Sequence, residues 1–149
     1  MPAEPRPVNE FFTDLEDQWT FSNVSGTSAK PAFVEVTGAD EPMRFDLNVN
    51  DHFVGRAGNP AMEEQPIGNW KYGNRMYNIE IEVYTLTNRN RLYDLMRELR
   101  RICHKRMHSL TSFQRIQFQN FQELTQEQAN IWAGTINIEL VNNAVLLET

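Results

Sequence analysis

Tyr77-Asn78-Ile79-Glu80-Ile81-Glu82-Val83-Tyr84-Thr85 is the stretch from which the fold can be read. Tyr77, Ile79, Ile81, Val83 and Thr85 alternate with Asn78, Glu80, Glu82 and Tyr84, the period of a strand with one buried and one polar face. The segment that follows changes period. It runs from Asn88 or Asn90, either of which can cap a helix, to about His108. At helical pitch its Leu92, Leu95, Met96, Leu99, Ile102, Cys103 and Met107 fall within an arc of about 140°. Arg97, Arg100, Arg101, His104, Lys105 and His108 fall outside that arc. Burying each large apolar side chain is worth at most roughly 1.5–3 kcal/mol, so the arc anchors the helix on a sheet far more strongly than its charges do.

Upstream, Val8, Phe12, Leu15 and Trp19 predict a short helix from Val8 to Trp19, which Asn9 is placed to help cap. Residues 1–8 read as a flexible arm ahead of a single domain at 9–149. Ala32–Thr37 reads as a strand, and Phe45, Leu47 and Val49, alternating with Arg44, Asp46 and Asn48, as another. Between 51 and 74 the pattern is broken by Gly55, Gly58-Asn59-Pro60, Pro66, Gly68-Asn69 and Gly73-Asn74. A long projecting loop is expected there, with His52-Phe53-Val54 and Trp70-Lys71-Tyr72 able to extend a ladder.

Downstream, Ile116 and Phe118 share a phase that changes at Phe121, so Phe113–Leu124 predicts a strand with a bulge or turn near Gln119-Asn120. Polar Thr125–Asn130 reads as a connection. Trp132, Gly134, Ile136, Ile138 and Leu140 alternate with polar residues in a last strand. The fold class is α+β: a single mostly antiparallel sheet of about five strands, with two helices packed on one face and the long loop projecting.

The chain of 149 residues fits one domain, and it has no apolar run near the roughly 20 residues that a membrane span needs. Its N-terminal residues lack the apolar stretch of a signal peptide, and Cys103 is the sole cysteine, so no intrachain disulfide forms. A cytoplasmic compartment is expected, and the sequon Asn23-Val24-Ser25 reads as a chance match. The formal net charge is −6, unevenly spread. The segment from Asn88 to His108 holds seven of the fourteen cations and carries +5, leaving −11 on the remainder. A basic segment on an acidic body either docks head to side with other copies or is a solvated face.

Catalytic and metal motifs fare poorly. His104 and His108 stand four apart on one helix, but Cys103 points about 100° away and neighbouring cations repel a dication. His52 and Cys103 lack triad partners, and no nucleophile elbow exists. Glu80 and Glu82 read as the polar face of a strand before a catalytic pair. Gly55-x-x-Gly58 precedes Pro60, not the helix a phosphate loop needs. No enzyme activity and no cofactor are expected. The rival class is a small nucleic-acid-binding accessory protein. Its basic helix 89–108 would lie along phosphates, with Trp70, Tyr72 and Tyr77 stacking on bases. A pI of about 5.1 and core packing of those aromatics stand against it.

The pattern resembles the tail-terminator and neck (tail-completion) proteins of tailed bacterial and archaeal viruses. The residues that carry it are the N-terminal helix Phe11-Phe12-Thr13-Asp14-Leu15-Glu16-Asp17-Gln18-Trp19, the strand after Lys30-Pro31, and the glycine- and proline-rich segment. This segment leads into the strand Tyr77–Thr85, which turns directly into the basic helix, and a last strand at Trp132–Val141 closes the sheet. The resemblance runs from about Asn9 to Val141. It implies a virion structural protein, assembled in the host cytoplasm, that forms a homo-oligomeric ring of about six copies. The ring would cap the tail tube protein and join it to the head connector or neck proteins, with nucleic acid only as genome passing through. The subunit-interface candidates are Arg89, Arg91, Arg97, Arg100, Arg101, Lys105, Arg106, Glu80 and Glu82. The N-terminal arm, the 51–74 loop and the Ala144–Leu147 tail are expected to reach neighbours.

Overall fold

The computed structural model describes residues 6–19, 31–36, 51–68, 71–124 and 131–147. Residues 1–5, the expected strand at 45–49, Trp70 and the connection at 125–130 lie outside the described residues. In chain order the elements are α1 (Pro7–Gln18), β1 (Ala32–Glu35), β2 (His52–Ile67), β3 (Tyr72–Thr85), α2 (Arg89–Lys105), β4 (Arg115–Glu123) and β5 (Trp132–Leu146). The five strands form one sheet in the order β1-β2-β3-β5-β4. No helix among the described residues is long and apolar enough to cross a membrane.

Strand β3 lies at the centre, and its period-2 pattern is kept residue by residue. Tyr77, Ile79, Ile81, Val83 and Thr85 are buried, while Asn78, Glu80, Glu82 and Tyr84 are half-exposed. Both helices pack on the buried side, where Leu15, Leu92, Leu95, Leu99 and Ile102 meet Ile79, Ile81, Ile136, Ile138 and Leu140. Helix α2 begins as the sequence indicates: the Asn88 side chain accepts from Arg91 N at 2.7 Å. Helix α1 does not use Asn9 as its cap. Pro7 occupies its first turn, where a missing N–H costs nothing, and Asn9 lies inside the helix, accepting from Thr13 Oγ1.

The sheet is mixed, not mostly antiparallel. β1 runs parallel to β2, while the β2–β3, β3–β5 and β4–β5 pairs are antiparallel. Hydrophobic alternation is the same in either direction, so only the connection carries that information. Residues 36–51 are long enough for the crossover of about a dozen residues that a parallel pair demands.

The expected loop at 51–74 is instead strand and turn. β2 and the start of β3 form a long hairpin, with Met62–Ile67 opposite Tyr72–Tyr77, and Gly68 at φ 65° helps turn the chain. The breakers have strand positions. Gly58-Asn59-Pro60 lies within the register shift between Ala57 and Met62, and Pro66 pairs with Gly73. Proline is tolerated at bulges and edges because no ladder bond is lost there.

β5 also runs further than its apolar alternation indicates. Its end pairs with β3 out to Tyr72↔Leu146, and Leu147 N donates to Lys71 O at 2.7 Å. The Ala144–Leu147 segment is thus the third strand of an arm, not a free tail. In β4, the register shifts between Phe118 and Asn120, so Phe118 and Phe121 both face the core side and Gln119 is the extra residue.

Gly55 leaves room for α1 to lie close against β2. A Cβ there would lie 2.6 Å from Phe12 Cζ and 2.9 Å from Val8 Cγ1. Gly55→Ala is therefore expected to destabilise the fold by about 1–3 kcal/mol, read as a lower urea midpoint at unchanged m-value.

Candidate functional site

The seven cations between Asn88 and His108 do not form one basic face. Arg91 is buried and bonds Asp51 through Nε at 2.7 Å, with Nη2 at 2.6 Å, joining the first turn of α2 to the start of β2. Arg106 grips Asp14 of α1, with Nη2 to Oδ1 at 2.8 Å and Nε within 3.3 Å of both carboxylate oxygens. Arg89 bonds Glu123 of β4 at 2.8 Å and lies over the Trp132 ring. Arg101 pairs with Glu98, a side chain shut away from solvent on its own helix. Arg97, Arg100 and Lys105 remain exposed, with no ion pair among the described residues. Four of the seven predicted contact cations thus hold the subunit itself together.

A sequence signal for two of these lies in the spacing Arg91, Leu95, Glu98, Ile102. At four, three and four residues, it places Arg91 and Glu98 on the same stripe as core leucine and isoleucine. Charged residues on such a stripe are buried only when paired.

Glu80 and Glu82 stand on the opposite side of the molecule, on the sheet face away from the helices. Glu82 receives Arg56 Nη2 at 2.9 Å and the Tyr84 hydroxyl. Burial first, and then the hydrogen bond to Glu82, push the Tyr84 phenol up to about 12. Glu80 has no ion-pair partner among the described residues. Its cross-strand neighbours are Arg56 and Asn137.

The arm is the third feature. Met62, Ile67 and Tyr72 are 42–51% exposed, and the core cluster stops at Tyr77. Arg75 crosses from β3 to Glu64 of β2, with Nη2 at 3.0 Å and Nε at 3.2 Å, and also reaches Leu147 O at 3.4 Å. Side chains therefore reinforce the ladder that builds the arm.

Several other titratable groups tie elements of the fold together. Glu10 of α1 accepts from the Ser112 hydroxyl at 2.9 Å and from Ser112 N, and it borders an open polar groove of about 390 Å³ between α1 and the turn after α2. His108 Nδ1 lies 3.0 Å from Gln114 O, and His104 is exposed. Among the described residues no group of three or more His, Cys, Asp or Glu is arranged to hold a metal ion. Cys103 is buried in the core, and burial, then Asp14, push its thiol up to about 12. No protein-family model matches the chain, and no curated protein matches it in sequence.

Two outcomes are expected. Arg91→Ala leaves Asp51 without its partner and should cost about 3–5 kcal/mol, against about 0.5 or less for Arg97→Ala, both by urea denaturation. A thiol reagent at pH 8 should label Cys103 only as fast as the protein opens, and at once in denaturant.

Proposed function

We propose that the chain is a ring-forming neck or tail-terminator subunit of a tailed virus, capping the tail tube and joining it to the head connector. The observation that carries this reading is the three-stranded arm, Met62–Ile67, Tyr72–Tyr77 and the end of β5, extending past the core with Met62, Ile67 and Tyr72 exposed. Exposed apolar side chains on a projecting arm are of use when a neighbour covers them. The resemblance of the element order to neck proteins supplies the kind of neighbour: an adjacent subunit and the end of a tube. The charges give orientation and register, since an exposed pair is worth only about 0–1 kcal/mol.

Nucleic-acid binding through helix 89–108 has less to work with. Only Arg97, Arg100 and Lys105 are left for phosphates, which limits the salt slope to about three counterions.

Light scattering on the purified chain, with and without tail tubes, tests the proposal. A closed oligomer of about six copies is expected, and electron microscopy should show it seated on tube ends. Replacing Met62, Ile67 and Tyr72 by serine should abolish tube capping while leaving the circular dichroism melt unchanged, because all three are exposed. A chain that stays monomeric both alone and with tubes overturns the proposal.

A further inference from the structure

The open face of the sheet holds a groove of about 310 Å³ beneath the irregular part of β2. Glu63, Glu80 and Glu139 line it together with the carboxamides of Asn78, Gln119 and Asn137, and its described lining includes no cation. Two of the amides turn to the acids, while Asn137 Nδ2 donates to Asn120 Oδ1 at 2.8 Å. Asn78 Nδ2 donates to Glu63 Oε1 at 3.0 Å and to Pro60 O at 2.9 Å, and Gln119 Nε2 donates to Glu139 Oε2 at 3.1 Å. Arg56, opposite Glu80 in register, is turned to Glu82 instead. Three carboxylates therefore share one concavity with no ion pair among the described residues.

The complement stands on the other side of the same chain. Arg97 and Arg100 lie one turn apart on the outer face of α2, and Lys105 follows about 12 Å along the axis from Arg97. None has an ion pair among the described residues. The geometry points to a second copy of this chain as the occupant of the groove. The outer face of α2 in one subunit lies across the open sheet face of the next, and the Arg97 and Arg100 guanidinium groups meet Glu63, Glu80 and Glu139. Because the two surfaces are on opposite faces, each contact leaves one free surface of each kind, so the contact repeats head to tail. It closes into a ring where the rotation between neighbours brings the last subunit to the first. This inference rests on the self-assembly reading above and names the faces that meet. Arg101 is not part of the contact, since it is held to Glu98.

Charge-swap complementation tests it, read by light scattering at low salt and again at high salt, where a Debye length of about 3 Å at 1 M screens the contact. The R97E/R100E and E80R/E139R variants should each associate about tenfold or more weakly than the wild type, with unchanged melting curves. Mixed in equal amounts, they should recover the wild-type mass as alternating oligomers. The milder E80Q/E139Q variant should weaken association in the same direction, which guards against misfolding of the arginine variant. Wild-type rings that survive all three variants overturn this docking and leave the ring reading standing. A mixture that fails to recover overturns it as well, as does a wild type that stays monomeric at low salt. The ring reading itself falls only if the wild type stays monomeric with tail tubes as well as alone.

Discussion

The alternation Tyr77, Ile79, Ile81, Val83 on β3 is the constraint on which the rest of the molecule depends. β3 has hydrogen-bonded neighbours on both sides, so its odd residues set the face on which β2, β5 and, through β5, β4 must present their apolar side chains. A slip of one residue would turn that face to solvent. Both helices settle on the surface so defined, and α2 follows β3 with only Leu86, Thr87 and Asn88 between them. The Thr85 hydroxyl accepts from Thr87 N and the Asn88 side chain from Arg91 N, so the chain reverses onto its own strand within a few residues.

On that apolar base the ion pairs act as ties between elements. Arg91–Asp51 joins α2 to β2, Arg106–Asp14 joins α2 to α1, and Arg89–Glu123 joins α2 to β4. Their strengths differ with burial. The Arg91–Asp51 side chains are only 4% and 11% exposed, so loss of one partner strands the other in a poor solvent. The Arg89 side chain is 58% exposed, and water and salt take most of that pair's value. A count of basic residues along the helix therefore overstates the positive surface, because the flanks of a helix laid on a sheet are where arginines find acids on neighbouring elements.

The same distinction explains how much of the fold was legible. Elements whose residues repeat a period were read directly: β3, α2, the phase change in β4 and the start of β5. Strand direction was not, because alternation carries no arrow, and β1 proved parallel to β2. The arm was hidden for another reason. Gly58, Pro60, Pro66, Gly68 and Gly73 are turn formers in isolation, yet they fall at a register shift, at a cross-strand Pro–Gly pair and at the hairpin end. The arm's side chains from Ala61 to Ile67 are all exposed, so no burial period marks it as strand. Of the candidate contact residues, Arg97 and Arg100 are exposed, as their place outside the apolar arc indicates. Arg91 is buried, which only its spacing with Leu95, Glu98 and Ile102 hints at, and nothing in the sequence places Glu80 beside a groove.

Building the arm from paired strands has an energetic consequence for assembly. A flexible loop of that length would lose roughly 1–2 kcal/mol per residue in backbone freedom on docking. Here the ladder between β2, β3 and β5 already fixes those dihedrals on folding, with Arg75 clamping Glu64 and Leu147 across it. Covering Met62, Ile67 and Tyr72 then returns apolar burial against little ordering cost. In the docking proposed above, electrostatics between the outer face of α2 and the open sheet face would need to supply only orientation. That division would suit the proposed ring, where each interface is modest and closure makes the set cooperative.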